Sequence, residues 1–542
     1  MDIHGENSFK SKSYSSAAFT IDKLPMALVD VPANQLAGIK GIGDSTAKKI
    51  IELLQTGELS ALNEMVAKTP AGILEMLQIK GLGPKKIATI WKEMEIETIG
   101  ELLYACKENR LKMFKGFGEK TQQQVQETIE FYFNSKGSYL YAQVEALLPT
   151  LQSFLEKIFP EKTIQVAGAF AKQHEIIEQI EFVVDEKLEN LRNAFQLVSD
   201  FEIVEEQATR LLLKSQLGFH ITLHACETKG FTQQVFELNG HPDFVTAFYE
   251  QHPNVPIATL KNEAAIFEAI KRPFIPAYLR ESASVLSWTE DALTSIIQPN
   301  QIKGIIHSHS NWSDGSNTLE EMAIAAKEQG LEYLVISDHS KSAFYANGLK
   351  EDRIKEQHQY IAELNQQLAP FKIFKSIESD ILNDGSLDYS NSILGTFDLV
   401  IASVHSNLKM PEEKAMQRLI TAIENPYTTI LGHMTGRLLL SRKGYPVDHK
   451  KIIDACAANQ VVIELNAHPS RLDIDWRYIS YALEKGVLIS IDPDAHAISG
   501  YADTRYGVLV AQKAGLTAAQ NLSSFNLAEF EQFLQKQQLK KG

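Results

Sequence analysis

The stretch IIHSHSNWSDG, residues 305–315, places His307 and His309 one residue apart and Asp314 five residues further on, beside a glycine. Similar side chains recur at the ends of short apolar runs: His339 in YLVISDHS, Glu378 in FKIFKSIESD, His405 in FDLVIASVHS, His433 in TTILGHM, and Asp494 and His496 in VLISIDPDAH. A single histidine at a strand end is ordinarily a hydrogen-bonded core residue. Six of them with three carboxylates need another explanation, because imidazoles gathered at one face repel when protonated. Divalent metals held by neutral imidazole and carboxylate remove that cost. Nine ligands exceed one tetrahedral site and fit two or three ions. Clustered ions of this kind suit phosphoester hydrolysis, since they activate water and neutralise charge on phosphoryl oxygens. Arg437, Arg442 and Arg471, with Lys341 and Ser342, follow strand ends and are candidates to grip a phosphate.

The runs that carry these residues alternate with helical segments such as TLEEMAIAAKEQG, from about residue 303 to the end of the chain. About seven strand-like runs joined in this way predict parallel strands, either open or closed into a barrel. In both cases the C-terminal strand ends form the active face. Upstream, residues 136–160 read as helix. The runs 163–170, 179–184, 218–225 and 232–240 read as strands, giving an α+β middle domain over 136–280. Proline-bearing stretches between 253 and 302 read as a connector, with the linker itself at 281–302.

The first 135 residues follow a different plan. IKGIGDSTAKKI (39–50), IKGLGPKKIATI (79–90) and FKGFGEKTQQQV (114–125) each run apolar, Lys, Gly, apolar, Gly, then helix. Glycines at i and i+2 permit a tight turn with positive φ. Such a turn leaves backbone N–H groups at the next helix start, where they and the helix dipole can hold a phosphate oxygen. The residues concerned are Gly41 and Gly43, Gly81 and Gly83, and Gly116 and Gly118. Lys48, Lys49, Lys85, Lys86 and Lys120 add charge nearby. One copy would suit an ordinary helical hairpin; three copies point to a DNA backbone.

Composition sets the frame. The chain has 542 residues, 44% hydrophobic, with a net charge of −15. Residues 1–135 carry 16 Lys+Arg against 17 Asp+Glu, so nearly all the negative charge lies further on. A broadly basic nucleic-acid coat is excluded, while backbone amides remain able to hold phosphates. No apolar run reaches the roughly 18 residues of a membrane span, and the N-terminus has no signal-peptide pattern. Cys106, Cys226 and Cys456 lie far apart, in neither zinc nor disulfide spacing, which fits a cytoplasmic protein without a membrane role.

The glycine repeats resemble the helix-hairpin-helix motif, which binds DNA without reading its sequence. HSHSNWSDG, SDHS, IESDILNDGSLDY, SVHS, GHMTGR and DPDAH together resemble the PHP (polymerase and histidinol phosphatase) domain, with all nine ligand positions filled. That resemblance implies a distorted seven-stranded (β/α) barrel and manganese or zinc as the metal. It assigns His307, His309, Glu378 and Asp494 to one ion. Glu378, His405 and His433 would hold a second, and Asp314, His339 and His496 a third. The whole chain, through HGENSFKSKSYSSAAFTIDKL (4–24), the hairpins and RPFIPAYLRE (272–281), resembles bacterial family X DNA polymerases of the PolX type.

That family implies a nucleotidyltransferase-like middle domain and a 3′–5′ exonuclease acting on gapped or 3′-end DNA substrates in repair; the catalytic candidates are Glu378 and, from their strand-end positions, Arg437 and Arg471. Lys49 falls where relatives carry a deoxyribose-phosphate lyase lysine. The palm departs from the family pattern in VAGAFAKQHEIIEQIEFVV: Gly168 is kept, Ala169 replaces a serine, and Gln179, Glu181 and Thr222 stand at the three aspartate positions. Two-metal nucleotidyl transfer needs closely placed carboxylates. The expectation is a metal-dependent nuclease with an inactive polymerase-like domain. A working gap-filling polymerase with an attached nuclease and a small-molecule phosphatase of the histidinol-phosphate kind are the competing readings.

Overall fold

The computed structural model describes every residue except Asn7, Lys23, Pro25, Met26, Gln78, Lys80, Ser135, Lys136, Leu217, Lys541 and Gly542. The expected 135/136 domain boundary and the lysine of the second hairpin lie outside the described residues. Two compact units result: Met1–Cys106 with Phe114–Ile129, and Lys107–Met113 with Glu130–Gly542. Among the described residues no helix is long and apolar enough to cross a membrane.

In the first unit each glycine pair turns the chain into a helix. Helices α1 (Asp44–Thr56), α2 (Pro84–Lys92) and α3 (Glu119–Asn134) follow the three pairs. The first glycine of each pair has positive φ: Gly41 +98°, Gly81 +96° and Gly116 +95°. The residue between the glycines, Ile42, Leu82 or Phe117, is buried and anchors the turn. The second glycine is not left-handed. Gly43 and Gly83 are extended and cap their helices without any side-chain hydrogen bond.

Among the described residues the second unit holds a two-stranded antiparallel ribbon, Tyr139–Leu140 with Ile176–Ile177, and two larger sheets. The smaller has strands β1 (Ile164–Ala167), β2 (Ile180–Asp185), β3 (Phe201–Gln207), β4 (Arg210–Ser215) and β5 (His220–Cys226), in the order β1-β2-β5-β4-β3. Only β2 and β5 pair in parallel, with Glu181 opposite Thr222. Two strand expectations fail here. Residues 232–240 lie mainly in helix α4 (Phe231–Leu238) rather than in a strand, and its buried Phe231, Thr232, Val235 and Phe236 follow helical spacing. The expected strand 163–170 stops at Ala167, because Gly168 at φ +68° opens a short helical turn. The β3–β4 hairpin adds two strands that the sequence pattern does not announce. Exposed Glu202, Glu205 and Glu206 make β3 an acidic edge and hide the strand pattern.

The larger sheet contains β6 (Gly304–Ile305), β7 (Tyr333–Ile336), β8 (Lys372–Asp380), β9 (Leu399–Ser403), β10 (Ile430–Leu431), β11 (Val462–Asn466) and β12 (Ile489–Asp492). Six of these are the runs quoted from sequence, and the seventh, β11, lies in QVVIELNAH (460–468), a strand-like run of the same kind. All are parallel and in sequential order. A parallel bridge between Ser308 and Ala495 brings the first and last strands together, so the barrel is nearly closed. Helices α5 (Leu319–Glu328), α6 (Glu351–Leu368), α7 (Glu412–Ile423), α8 (His449–Asn459), α9 (Ile479–Glu484) and α10 (Thr504–Lys513) accompany the strands, and α11 (Leu527–Leu539) ends the chain.

Period-two alternation sets the depth of each residue inside the barrel. Tyr333, Val335, Phe374, Leu399, Ile401, Ile430 and Val462 pack with Phe530 and Leu534 of α11 as one apolar floor. Two residues along come buried Ser337, Ser376 and Ser403, and two further on His339, Glu378 and His405. The ligand layer thus stands on a serine layer, above a dry floor.

Arg418 on α7 is fully buried beside this layer. It donates from Nε to the Leu382 carbonyl (3.0 Å), from Nη1 to that of Ser406 (2.9 Å) and from Nη2 to that of Ile381. Those carbonyls belong to the loops that follow Asp380 and His405. Replacing Arg418 by Met should leave the Ile381 and Ser406 carbonyls unpaired, while that of Leu382 keeps the Gly385 N–H (2.9 Å), and should cost about 2 kcal/mol or more, at roughly 1–3 kcal/mol per orphaned buried group. A lowered urea midpoint, with weaker retention of metal by the folded protein, is the expected result.

Candidate metal centre

Glu378 lies near the end of β8 and is wholly buried. Its backbone is fixed on both sides: the Glu378 N–H donates to the Asp338 carbonyl (3.1 Å), and its own carbonyl accepts from the Ser340 N–H (3.0 Å). Five imidazole nitrogens surround its carboxylate. They are His307 Nε2 (3.3 Å), His309 Nε2 (3.5 Å), His339 Nδ1 (3.0 Å), His405 Nε2 (3.1 Å) and His433 Nε2 (3.0 Å). Asp494 Oδ1 lies 3.3 Å from His307 Nε2 and 3.1 Å from His309 Nε2. Asp314 lies 3.5 Å from both His339 Nε2 and His496 Nε2. All nine residues singled out from sequence therefore converge at one mouth.

The arrangement fits metal. His307 Nε2, His309 Nδ1, Asp314 Oδ2, His339 Nδ1, Glu378 Oε2, His433 Nδ1 and His496 Nε2 are buried and carry no aligned hydrogen bond. Orphaned buried polar atoms are costly, and so many in one cluster mark a place for cations. Groups that could hold an ion include His309 with Asp314, His339 and His496; His307 with His309 and Glu378; and His339 with Glu378 and His405.

Further residues aim the imidazoles. His307 Nδ1 donates to Glu464 at 2.5 Å and His405 Nδ1 to Asp380 at 2.5 Å, which leaves both Nε2 atoms facing the cluster. His496 Nδ1 donates to the Asp494 carbonyl (2.9 Å). Asp338 accepts from the Ser310 N–H (2.8 Å) and from the hydroxyls of Ser310 (2.8 Å) and Ser313 (2.6 Å), holding the loop between His309 and Asp314. Backbone geometry contributes as well, since His307 (φ +60°) and Asp494 (φ +53°) are both left-handed and flank the closing bridge.

The charges are strongly coupled. Burial alone would raise the Glu378 carboxyl, but the His405, His307 and His339 imidazoles hold it well below the carboxylate range. Burial would lower His405, yet Glu378 and Asp380 push it up to about 10. His496 is likewise raised to about 10 against burial, by Asp314. His309 is lowered by burial and by the neighbouring His496 and His339. The cluster thus favours the charged form of Glu378, and of His405 and His496 over that of His309.

The remaining candidates fare differently. Arg471 lies in the mouth, 4.0 Å from Asp494 and 3.8 Å from Glu108. The Arg437 guanidinium donates to the Arg471 and Leu472 carbonyls and to Asp475, tying a loop together. Arg442 donates to the Gly436 carbonyl (2.7 Å). Lys341 pairs with Glu351 (2.8 Å), and the Ser342 hydroxyl donates to Asp380 (2.7 Å), so both are already engaged. Sequence reasoning missed Asp338, Asp380, Glu464 and Glu108. Asp338 and Asp380 do lie in the quoted SDHS and IESD runs, one residue before and two after a ligand, and their positions beside ligands are the signal. Glu108 has no such signal.

In the smaller sheet Glu181 and Thr222 are neighbours on β2 and β5. Thr222 donates to Gln179 (2.9 Å), and Glu181 pairs with His224 (3.1 Å). A Cβ at Gly168 would collide with Glu181 Oε2, so the carboxylate fills the open face of that glycine. In the first unit Lys48, Lys85 and Lys120 are exposed. Lys49 is half-buried and donates to the Tyr14 hydroxyl, while Lys86 donates back to the Gly81 carbonyl (3.3 Å).

A helix-hairpin-helix domain model matches residues 1–59 and a SAM-like helix-hairpin-helix tandem matches 73–130, while a PHP domain model matches 306–468. Hairpins, parallel barrel and buried ligand cluster define a helix-hairpin-helix enzyme with the PHP phosphoesterase fold. Probable phosphatases match part of the chain. One from Thermoanaerobacter sp. (strain X514) is 26% identical over 44% of this chain and 96% of its own length. YcdX of Escherichia coli O81 (strain ED1a) is 28% identical over 30% of this chain and 62% of its own. The "DNA polymerase/3'-5' exonuclease PolX" of Bacillus subtilis (strain 168) is 30% identical over 99% of this chain and 97% of its own length. The chain belongs to the PolX family.

Glu378→Ala removes the one carboxylate common to five imidazoles, and metal content measured on the purified protein should collapse together with hydrolysis. Glu464→Gln keeps the pocket but weakens the hold on His307. It should lower metal affinity by about 10–100-fold, the usual cost of losing a partner behind a ligand, as read by chelator competition. Full metal content in Glu378→Ala would show that the cluster assignment is wrong.

Proposed function

We propose that this protein is a metal-dependent 3′–5′ exonuclease that processes DNA 3′ ends in repair, with a middle domain that does not polymerise. The observation that carries the reading is the buried Glu378 carboxylate inside five imidazoles, in a barrel whose family includes a relative named as an exonuclease. His307, His309, Glu378 and Asp494 would hold one ion, Glu378, His405 and His433 a second, and Asp314, His339 and His496 a third. Divalent manganese or zinc bound there supplies Lewis acidity, which activates water and offsets charge on the phosphoryl oxygens. Glu464 and Asp380 keep His307 and His405 in register. Arg471 orients the phosphate by charge-assisted hydrogen bonds. The burial of the cluster keeps these charges in a low-dielectric setting, where they act strongly.

The hairpins serve the DNA backbone. The helix starts after Gly43 and Gly83, which have no side-chain cap, and the positive-φ glycines suit phosphate oxygens. Domain limits of 1–135, 136–280, 281–302 and 303–542 go with this division of labour. A small-molecule phosphatase has no use for the hairpins. A working polymerase is disfavoured by Gln179 and Thr222, which cannot replace carboxylates, and by Glu181, which is paired with His224 and lies in the Gly168 cradle.

Three measurements test this. End-labelled DNA incubated with Mn²⁺ should shorten from its 3′ end, and Glu378→Ala should stop the shortening. Gap filling with labelled dNTPs, run with Glu378→Ala so that no product is erased, should give no extension; template-dependent extension that disappears on adding Glu181→Ala would restore the polymerase reading. Reversing Lys48, Lys85 and Lys120 to Glu should weaken DNA binding and flatten its salt dependence, by up to about one unit of log–log slope for each phosphate no longer neutralised. Hydrolysis of a small phosphodiester by that variant should be unchanged.

A further inference from the structure

One carboxylate in the mouth of the centre comes from far upstream of the barrel in sequence. Glu108 lies in Lys107–Met113, a short segment that is part of the second unit although it falls between hairpin helices in sequence. It is buried, and one of its oxygens lies within 4.8 Å of ligand atoms of Asp494 and His496. Two guanidiniums face it: Arg110 Nη1 at 3.4 Å and Arg471 Nη2 at 3.8 Å. The segment is latched by its neighbours. Asn109, at φ +57°, donates to the Ser316 hydroxyl (2.6 Å), two residues after Asp314. The Arg110 guanidinium lies 4.3 Å from the ring centroid of Tyr345, near the cluster.

An anion set between two guanidiniums, beside metal ligands, stands where a substrate phosphate would bind. The nine ligands approach their neighbours in the cluster at 3.0–3.9 Å, on strand ends and loops of the barrel. Glu108 comes from outside the barrel, has guanidiniums rather than imidazoles as its ion-pair partners, and is held by side-chain latches on a seven-residue stretch. That is the design of a displaceable occupant. Resting on the phosphoesterase reading above, we infer that Glu108 is an intrachain substitute for the scissile phosphate, which the incoming phosphodiester must displace from Arg471 and the mouth of the metal centre.

The test uses the full-length, metal-loaded chain and two probes, bis(p-nitrophenyl) phosphate and inorganic phosphate. Glu108→Gln keeps the shape and removes the charge. It should lower KM for the diester and tighten phosphate binding, read by titration calorimetry, each by about tenfold, the size of one charge-assisted contact, with kcat and metal content unchanged. In the wild-type protein, saturating phosphate should speed hydrogen exchange in 107–113, a readout that needs no variant to fold. Lower metal content in Glu108→Gln would make Glu108 a tenth ligand, and a lowered kcat would make it a catalytic residue; either overturns the inference. So would unchanged KM and phosphate affinity, or slower exchange with phosphate. Absence of diester hydrolysis by the metal-loaded wild type would instead overturn the phosphoesterase reading itself.

Discussion

The rest of the barrel depends on one buried carboxylate. Glu378 is surrounded by imidazoles from five places in the chain, and nothing but cationic charge makes its burial tolerable. Protons on the imidazoles can supply that charge, and so can metal ions. The first solution leaves inward-facing atoms such as His307 Nε2, Glu378 Oε2 and His496 Nε2 without aligned partners, whereas the second uses them. The same physics makes the outer carboxylates necessary. Asp380 and Glu464 each fix one ring nitrogen so that the other faces inward. The buried Arg418 in turn fixes the loops that carry Asp380 and His405.

Closure of the barrel and construction of the centre are a single event. Bridging Ser308 to Ala495 joins the first strand to the last, and the residues on either side, His307 and Asp494, are held at positive φ. Non-glycine residues there cost of order 1–3 kcal/mol each, and they persist only where surrounding contacts dictate the conformation. The dictating contacts are the backbone bonds from the His309 N–H to the Ala495 carbonyl (2.8 Å) and from the Ala495 N–H to the His307 carbonyl (3.3 Å). Strain at the seam therefore aims two ligands, and metal held across the seam would stabilise the seam in return.

What is legible in the sequence follows from period. In VLISIDPDAH or FDLVIASVHS a short β run ends in a ligand, so element and chemistry are read together, and all seven strands and the convergence of nine side chains are foreseeable. The hairpins are legible because glycine spacing and the buried residue between the glycines repeat three times. The middle domain is harder. TQQVFEL has the β-branched and aromatic content of a strand and the i, i+4 spacing of a helix, and packing decides for the helix. The acidic β3 edge carries no alternation to read. Glu108 is illegible for a different reason: its place depends on Asn109, Arg110 and Arg471 meeting partners far away in the chain, and no local pattern encodes that.

The smaller sheet, on the proposed reading, is a fold that has outlasted its chemistry. Its register still sets Glu181 beside Thr222 on parallel neighbours, the placement two metal-binding carboxylates would need. With a hydroxyl in place of one carboxylate, the other has no dication to share and takes local partners instead. It pairs with His224 and lies in the cradle of Gly168, where a positive-φ glycine would otherwise let a phosphate approach the backbone. Placing aspartate at Thr222 alone would not rebuild such a site, because Glu181 already occupies the cradle and Gln179 accepts the Thr222 hydroxyl. The β2–β5 pair keeps its stability because the apolar residues between these positions, Phe182, Val184, Ile221 and Leu223, still close the core. Fewer carboxylates cost such a sheet nothing in packing and remove a repulsion, so nothing in the energetics of the scaffold would oblige it to keep a polymerase site.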